Sequence, residues 1–128
     1  MKKIFSTKTL PLCVIFISAF LGACSYDYIE FKEPEGTIHF STQIEPIFTD
    51  NDNCTACHKS GGTAPDLTQG NAYNSIIQMN LVNTSDPPSS PLYVYPDPSN
   101  TGQHSWKKYT PNQASLVLTW IQQGALDN

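Results

Sequence analysis

Residues 54–58 of this 128-residue chain read Cys-Thr-Ala-Cys-His, which sets two thiols three positions apart with an imidazole directly after the second. In one helical turn, side chains at i and i+3 project on the same side. Cys54 and Cys57 can therefore face one target together while His58 enters beside them. Three chemistries use such a trio. A structural zinc wants four ligands, so His39 or His104 would have to complete the set. A redox dithiol of the thioredoxin kind belongs in a βαβ setting, and a plain disulfide leaves His58 without a role. A haem uses all three residues: both sulfurs join vinyl groups along one edge, and His58 lies beneath the iron as proximal ligand.

The elements that must hold this trio are short. Ser41–Asp50 carries Ile44, Ile47 and Phe48 at helical spacing, with Thr42 and Glu45 as a predicted capping box. Pro46 spoils a regular helix there, because it removes a backbone donor. The spacing predicts a short or distorted helix running toward Cys54. After His58 the chain is loop-like as far as Gly70, and Asn71–Met79 is predicted to be a second short helix. Residues 83–103 contain five prolines, with a single helical turn predicted at Ser90–Val94, Ser90 as its cap and Pro91 at its first position. The last helix is the best marked. Thr110, Pro111 and Gln113 supply cap, first-position proline and box partner, and Gly124 stops it. No alternating strand pattern of useful length occurs, so the fold class expected is mainly α, several short helices joined by long loops.

Domain organisation follows from the N-terminus. Lys2, Lys3 and Lys8 precede an apolar run, Leu10–Leu21, too short to span a bilayer. The run ends Leu21-Gly22-Ala23-Cys24, which resembles a bacterial lipobox. Residues 1–23 are expected to be a lipoprotein signal peptide, Cys24 the lipidated N-terminus, 24–37 a tether and 38–128 the haem domain. An ordinary secretory signal is the alternative. Residues 24–128 keep four lysines, no arginine and eleven carboxylates, a formal charge of −7. Such a balance argues against nucleic acid as a partner, since phosphate binding needs a basic patch. With Cys13 and Cys24 assigned to export and lipid, only Cys54 and Cys57 remain, so the body is not a disulfide scaffold.

The order "FSTQIEPIF … CTACH … APDL … AYNSI … SPLY … WIQQGA" resembles the small single-haem class I cytochrome c domains, in particular the planctomycete-type variant, from about Phe40 to Ala125. The resemblance implies one covalent haem c, and a helix before the haem motif that crosses the C-terminal helix. It also implies a haem pocket between those helices and the middle loops. Pro65 matches the proline whose carbonyl accepts a bond from the proximal imidazole. Many members place a Met-Pro pair before the last helix as the second iron ligand. This chain has none, and His104 stands in that loop, so His58 and His104 are the expected metal ligands. Met79, or an open position, is the alternative. Trp106 is expected either at the haem edge or in the core, and His39 on the surface or tether. The function implied is one-electron transfer between redox proteins by an exported bacterial membrane lipoprotein facing the periplasm or cell surface. The alternative is a haem enzyme or sensor that takes peroxide, oxygen or nitric oxide at a labile sixth position.

Overall fold

Pro46 decides how the described chain begins. A regular helix starting at Phe40 would ask residue 46 for an N–H that proline lacks. The backbone instead makes a wide π turn over Phe40–Ile44, in which the Glu45 N–H donates to the Phe40 carbonyl. Helix α1, Glu45–Thr49, then carries Pro46 within its first two positions, where the missing donor costs nothing. A computed structural model describes residues 34–102, 104 and 106–128. The expected signal peptide, Cys24 and most of the expected tether lie outside the described residues.

A 3₁₀ turn, Asp50–Asp52, with Asn51 left-handed at φ 53°, leads into the cysteine loop. Helix α2 spans Ala72–Gln78, a 3₁₀ turn Pro87–Ser89, helix α3 Pro91–Val94 and helix α4 Pro111–Gln122. The described residues contain no strand, and the protein is mainly α. No described helix is long and apolar enough to cross a membrane.

The capping signals are realised at α4. Gln113 N–H donates to Thr110 Oγ1 (3.2 Å), and Thr110 N–H donates to Gln113 Oε1 (2.9 Å). At its other end, Gly124 (φ 100°) and Ala125 donate back to the carbonyls of Ile121 and Trp120, a Schellman closure. Asn80 (φ 54°) and Leu81 close α2 in the same way on Ile77 and Ile76. Two predicted caps are corrected. Thr42 and Glu45 form no box, because the helical path begins at Phe40 and the Glu45 carboxylate is buried, accepting the Gly70 N–H at 2.7 Å. Ser90 caps α3 in position only: its hydroxyl accepts the Asn83 N–H instead (2.9 Å).

Helix α4 buries Ala114, Val117, Trp120 and Ile121. Phe40 packs on it, its ring centroid 5.2 Å from Trp120 and 5.3 Å from Tyr73. The polar ends of the two amphipathic rings are both satisfied, Trp120 Nε1 by the Leu126 carbonyl and Tyr73 hydroxyl by the Ala125 carbonyl. Asn128 accepts the N–H groups of Phe40 and Ser41, and Gln123 binds both Gly36 and Ile38. The N-terminal segment, from the end of the predicted tether onward, is thus fastened to the C-terminal helix.

Candidate functional site

A cavity of about 660 Å³ holds Cys54, Cys57, His58, Pro65, Met79, His104 and Trp106 in its wall. That volume is ordinary for a bound organic cofactor. Every haem-site residue expected from the sequence is therefore brought to one space; His39 is not in its wall and is exposed. Cys24, the residue expected to carry lipid, lies outside the described residues.

The cysteine loop is built by its backbone. The Cys54 N–H donates to the Phe48 carbonyl (2.9 Å), which attaches the loop to the end of α1. Cys57 and His58 both donate to the Cys54 carbonyl, at 3.2 and 2.9 Å, so one tight turn carries all three side chains. The Cys57 carbonyl accepts the Thr63 N–H (2.9 Å), and a Cβ added at Gly62 would come within 2.5 Å of that oxygen. Only glycine permits the approach. The His58 carbonyl takes the Leu67 N–H at 3.0 Å, fastening the following loop. Both cysteines are free thiols. Burial pushes the Cys54 thiol up to about 11, with Lys107 pulling weakly the other way, whereas Cys57 is exposed.

Across the cavity from this turn, the His104 ring lies 5.7 Å from the His58 ring, centroid to centroid, with planes 27° apart. Metal–imidazole bonds are about 2.0 Å long, so two nitrogens gripping one ion from opposite sides stand roughly 4 Å apart. The observed spacing is compatible with that arrangement, and it also suits an ordinary offset ring pair. The two cysteines in the same wall are what distinguish it. Burial first, then the neighbouring His58 and Lys108, hold the His104 pKa below its usual value, which favours the neutral ring. His104 sits at φ 55°, a left-handed backbone that sequence spacing could not signal.

His58 Nδ1 is buried and has no hydrogen-bond partner. The expected bond from this ring to the Pro65 carbonyl is not formed. The loop carrying Pro65 is attached through the main chain at Leu67 instead, and Pro65 contributes its ring to the cavity wall. A buried polar atom left unmet is uncommon and costly, and here it lies at the cavity. The resemblance is corrected on two further points. Helix α4 supplies none of the wall residues, because its apolar face is spent on Phe40 and the N-terminal segment; Tyr109, just before it, reaches the cavity in its place. Trp106 is not a core residue: it is 80% exposed at the cavity, with its ring 6.0 Å from His104.

Sequence reasoning missed Tyr109, Leu81, Tyr95 and Pro96, which complete the wall. Tyr109 is buried, donates its hydroxyl to the Leu92 carbonyl (3.0 Å), and donates its backbone N–H to the Pro96 carbonyl (2.9 Å). Its position directly before the Thr110 cap, where an apolar residue often staples the helix start, was the available signal.

Among the described residues no group of three or more His, Cys, Asp or Glu side chains is arranged to hold a bare metal ion, so the zinc alternative finds no fourth ligand there. The donor set fits a haem better: two thiols of one turn, a histidine beside them, a second histidine opposite, and an otherwise largely apolar enclosure. Comparison of the chain with protein-family models, with curated proteins and with solved structures finds no match in any of the three.

Proposed function

We propose that this chain is a single-haem c-type cytochrome of the class I kind, acting as a one-electron carrier and tethered to a bacterial membrane through lipid on Cys24. The observation that carries the reading is the meeting of Cys54, Cys57, His58 and His104 around one cavity of about 660 Å³. Bound there, a haem supplies a reversible one-electron couple at its iron. Cys54 and Cys57 would hold it covalently through their sulfurs. His58 and His104 would be the residues that ligate its iron.

The chain's own groups suit transfer rather than turnover. The cavity wall holds no Asp or Glu to serve as a general base; besides the two histidines and the thiols, its titratable groups are Lys107, Lys108, Tyr95 and Tyr109. Phe48, Leu67, Leu92 and Tyr109, all packed into the core, would limit water and movement on their side of a bound group. A second histidine in place of a thioether lowers the potential relative to His/Met ligation at equal burial.

The test is a set of visible and near-infrared spectra, oxidised and reduced, of the full-length protein made in a host that exports and matures c-type cytochromes. Covalent haem that survives acid–acetone extraction, with six-coordinate low-spin spectra in both oxidation states and no methionine–iron band, supports the reading. Absence of covalent haem overturns it. Rapid carbon monoxide binding by the reduced protein would favour the enzyme or sensor alternative.

A further inference from the structure

The segment that carries His104 is tied down on both sides of it and strained between. Three consecutive carbonyls at the end of α3 hold it: Val94 accepts from Asn100 Nδ2 at 2.8 Å, Tyr95 from Lys108 Nζ at 3.0 Å, and Pro96 from the Tyr109 N–H at 2.9 Å. Asn100 Oδ1 also accepts the Gly102 N–H at 2.8 Å. Between these clasps His104 has a left-handed backbone, φ 55°, which a residue other than glycine keeps only where its surroundings impose it. The Lys107 N–H donates to the His104 carbonyl (3.0 Å), closing a turn that carries Trp106. These bonds place the main chain of His104, but none of them fixes the torsions of its ring.

Trp106 meets that ring. Its indole lies 6.0 Å from the His104 centroid with planes 31° apart, within the range of an aromatic pair. Core burial does not account for its place, because the side chain is 80% exposed and gains little from leaving water. We propose that Trp106 is a positioning residue for His104: the indole braces the imidazole so that its plane stays close to that of His58, from which it now departs by 27°. The effect of the brace at an iron rests on the haem reading. The brace itself is a relation between two residues of the chain and is read without the cofactor.

The experiment has two arms, both on the full-length protein in neutral detergent. In the haem-free chain, NMR follows the imidazole signals of His39, His58 and His104. Trp106→Ala removes the indole ring current and shifts the His104 signals, Trp106→Phe keeps part of that shift, and the signals of exposed His39 stay where they are. The second arm uses holoprotein whose covalent haem has been verified; its absence in every variant overturns the haem reading while the first arm still decides the brace. Two near-parallel imidazoles on one low-spin iron give a rhombic electron paramagnetic resonance signal. Trp106→Ala should broaden that signal and raise its largest g value. It should also raise the limiting rate of carbon monoxide binding to the reduced protein about two- to tenfold, the size of one aromatic pair. Trp106→Phe should return both readings toward wild type, and melting temperatures should stay together, as the exposure of Trp106 requires. His104 signals unmoved by Trp106→Ala overturn the proposal. So does holoprotein with unchanged g values and limiting rate, whether or not its melting temperature falls, since Trp106 would then be structural only.

Discussion

The imidazoles of His58 and His104, 46 positions apart in sequence, lie 5.7 Å apart with planes inclined by only 27°. Nothing in the chain between them is regular for long, so the pairing is produced by the cavity wall as a whole. The relationship separates the two candidate distal ligands. If the proposed haem is bound, His104→Ala should turn a six-coordinate low-spin spectrum into a high-spin or rapidly carbon-monoxide-binding one, read by visible spectroscopy. Met79→Leu should leave the spectrum as it is, since Met79 contributes 44% exposed surface at the cavity and no ring opposite His58. The reverse pattern would assign the ligand to Met79.

How much of this was legible varies with the range of the interaction. Helix α4 could be read almost residue by residue, because Thr110, Pro111, Gln113 and Gly124 act within one or two turns of themselves. The cysteine turn was legible for the same reason. Glu45 was misread because its partner, the Gly70 N–H, is 25 positions away. The π turn at Phe40–Ile44 is a compromise between Pro46 and the burial of Phe40 and Ile44, and no local pattern announces such a compromise. The role of Gly62 depends on a carbonyl five residues earlier folding back over it, which only coordinates reveal.

That carbonyl gives the second prediction. Alanine at residue 62 brings a methyl group to 2.5 Å from the Cys57 oxygen, and also meets the Lys59 carbonyl at 3.2 Å. Both are backbone atoms of the turn that carries the cysteines, so neither yields cheaply. Gly62→Ala should cost about 1–3 kcal/mol, typical of overpacking, and reduce the yield of covalent holoprotein. Thermal melts followed by circular dichroism check the first effect, and haem stain per unit protein checks the second. Gly70→Ala, at φ 77° with no atom near its added Cβ, separates the cost of a strained backbone from the cost of the clash.

A third prediction concerns Tyr109, whose hydroxyl donates to the Leu92 carbonyl at 3.0 Å in a buried setting. Tyr109→Phe removes the donor and leaves that carbonyl without this partner. The expected loss is about 1–2 kcal/mol, measured by denaturant unfolding of the holoprotein. The Soret and visible bands should not move, because the ring that packs in the cavity wall is retained. A spectral change with unchanged stability would show that the hydroxyl acts on the cofactor instead.

At low pH two half-buried carboxylates matter. The Ser99 hydroxyl holds Asp97 below the usual carboxylate range, and the Thr68 hydroxyl does the same for Asp66. Each group binds its proton more readily in the unfolded chain than in the folded one. Stability from both is therefore complete above the ordinary carboxylate pKa and is lost as pH falls through the depressed folded values. Acid titration of the double variant Asp66→Asn/Asp97→Asn should show a shallower decline than wild type below about pH 4.

At high pH the apo and holo forms should part company at Cys54. In the apo chain, burial holds the thiol at about 11, against 9.0 for an ordinary cysteine. The unfolded chain therefore loses its proton first as pH rises, so stability is full below about 9 and declines toward 11. Cys57, exposed, should react with iodoacetamide well before Cys54 at neutral pH, since the thiolate is the reactive form and access favours the outer residue. In the proposed holoprotein both sulfurs would be thioethers, which cannot ionise. The alkaline decline due to Cys54 should vanish, and neither cysteine should be alkylated. Mass spectrometry after timed labelling, with melts from pH 7 to 11, reads both effects. Equal labelling of the two cysteines in the apo chain would show that Cys54 is not buried before the cofactor is attached.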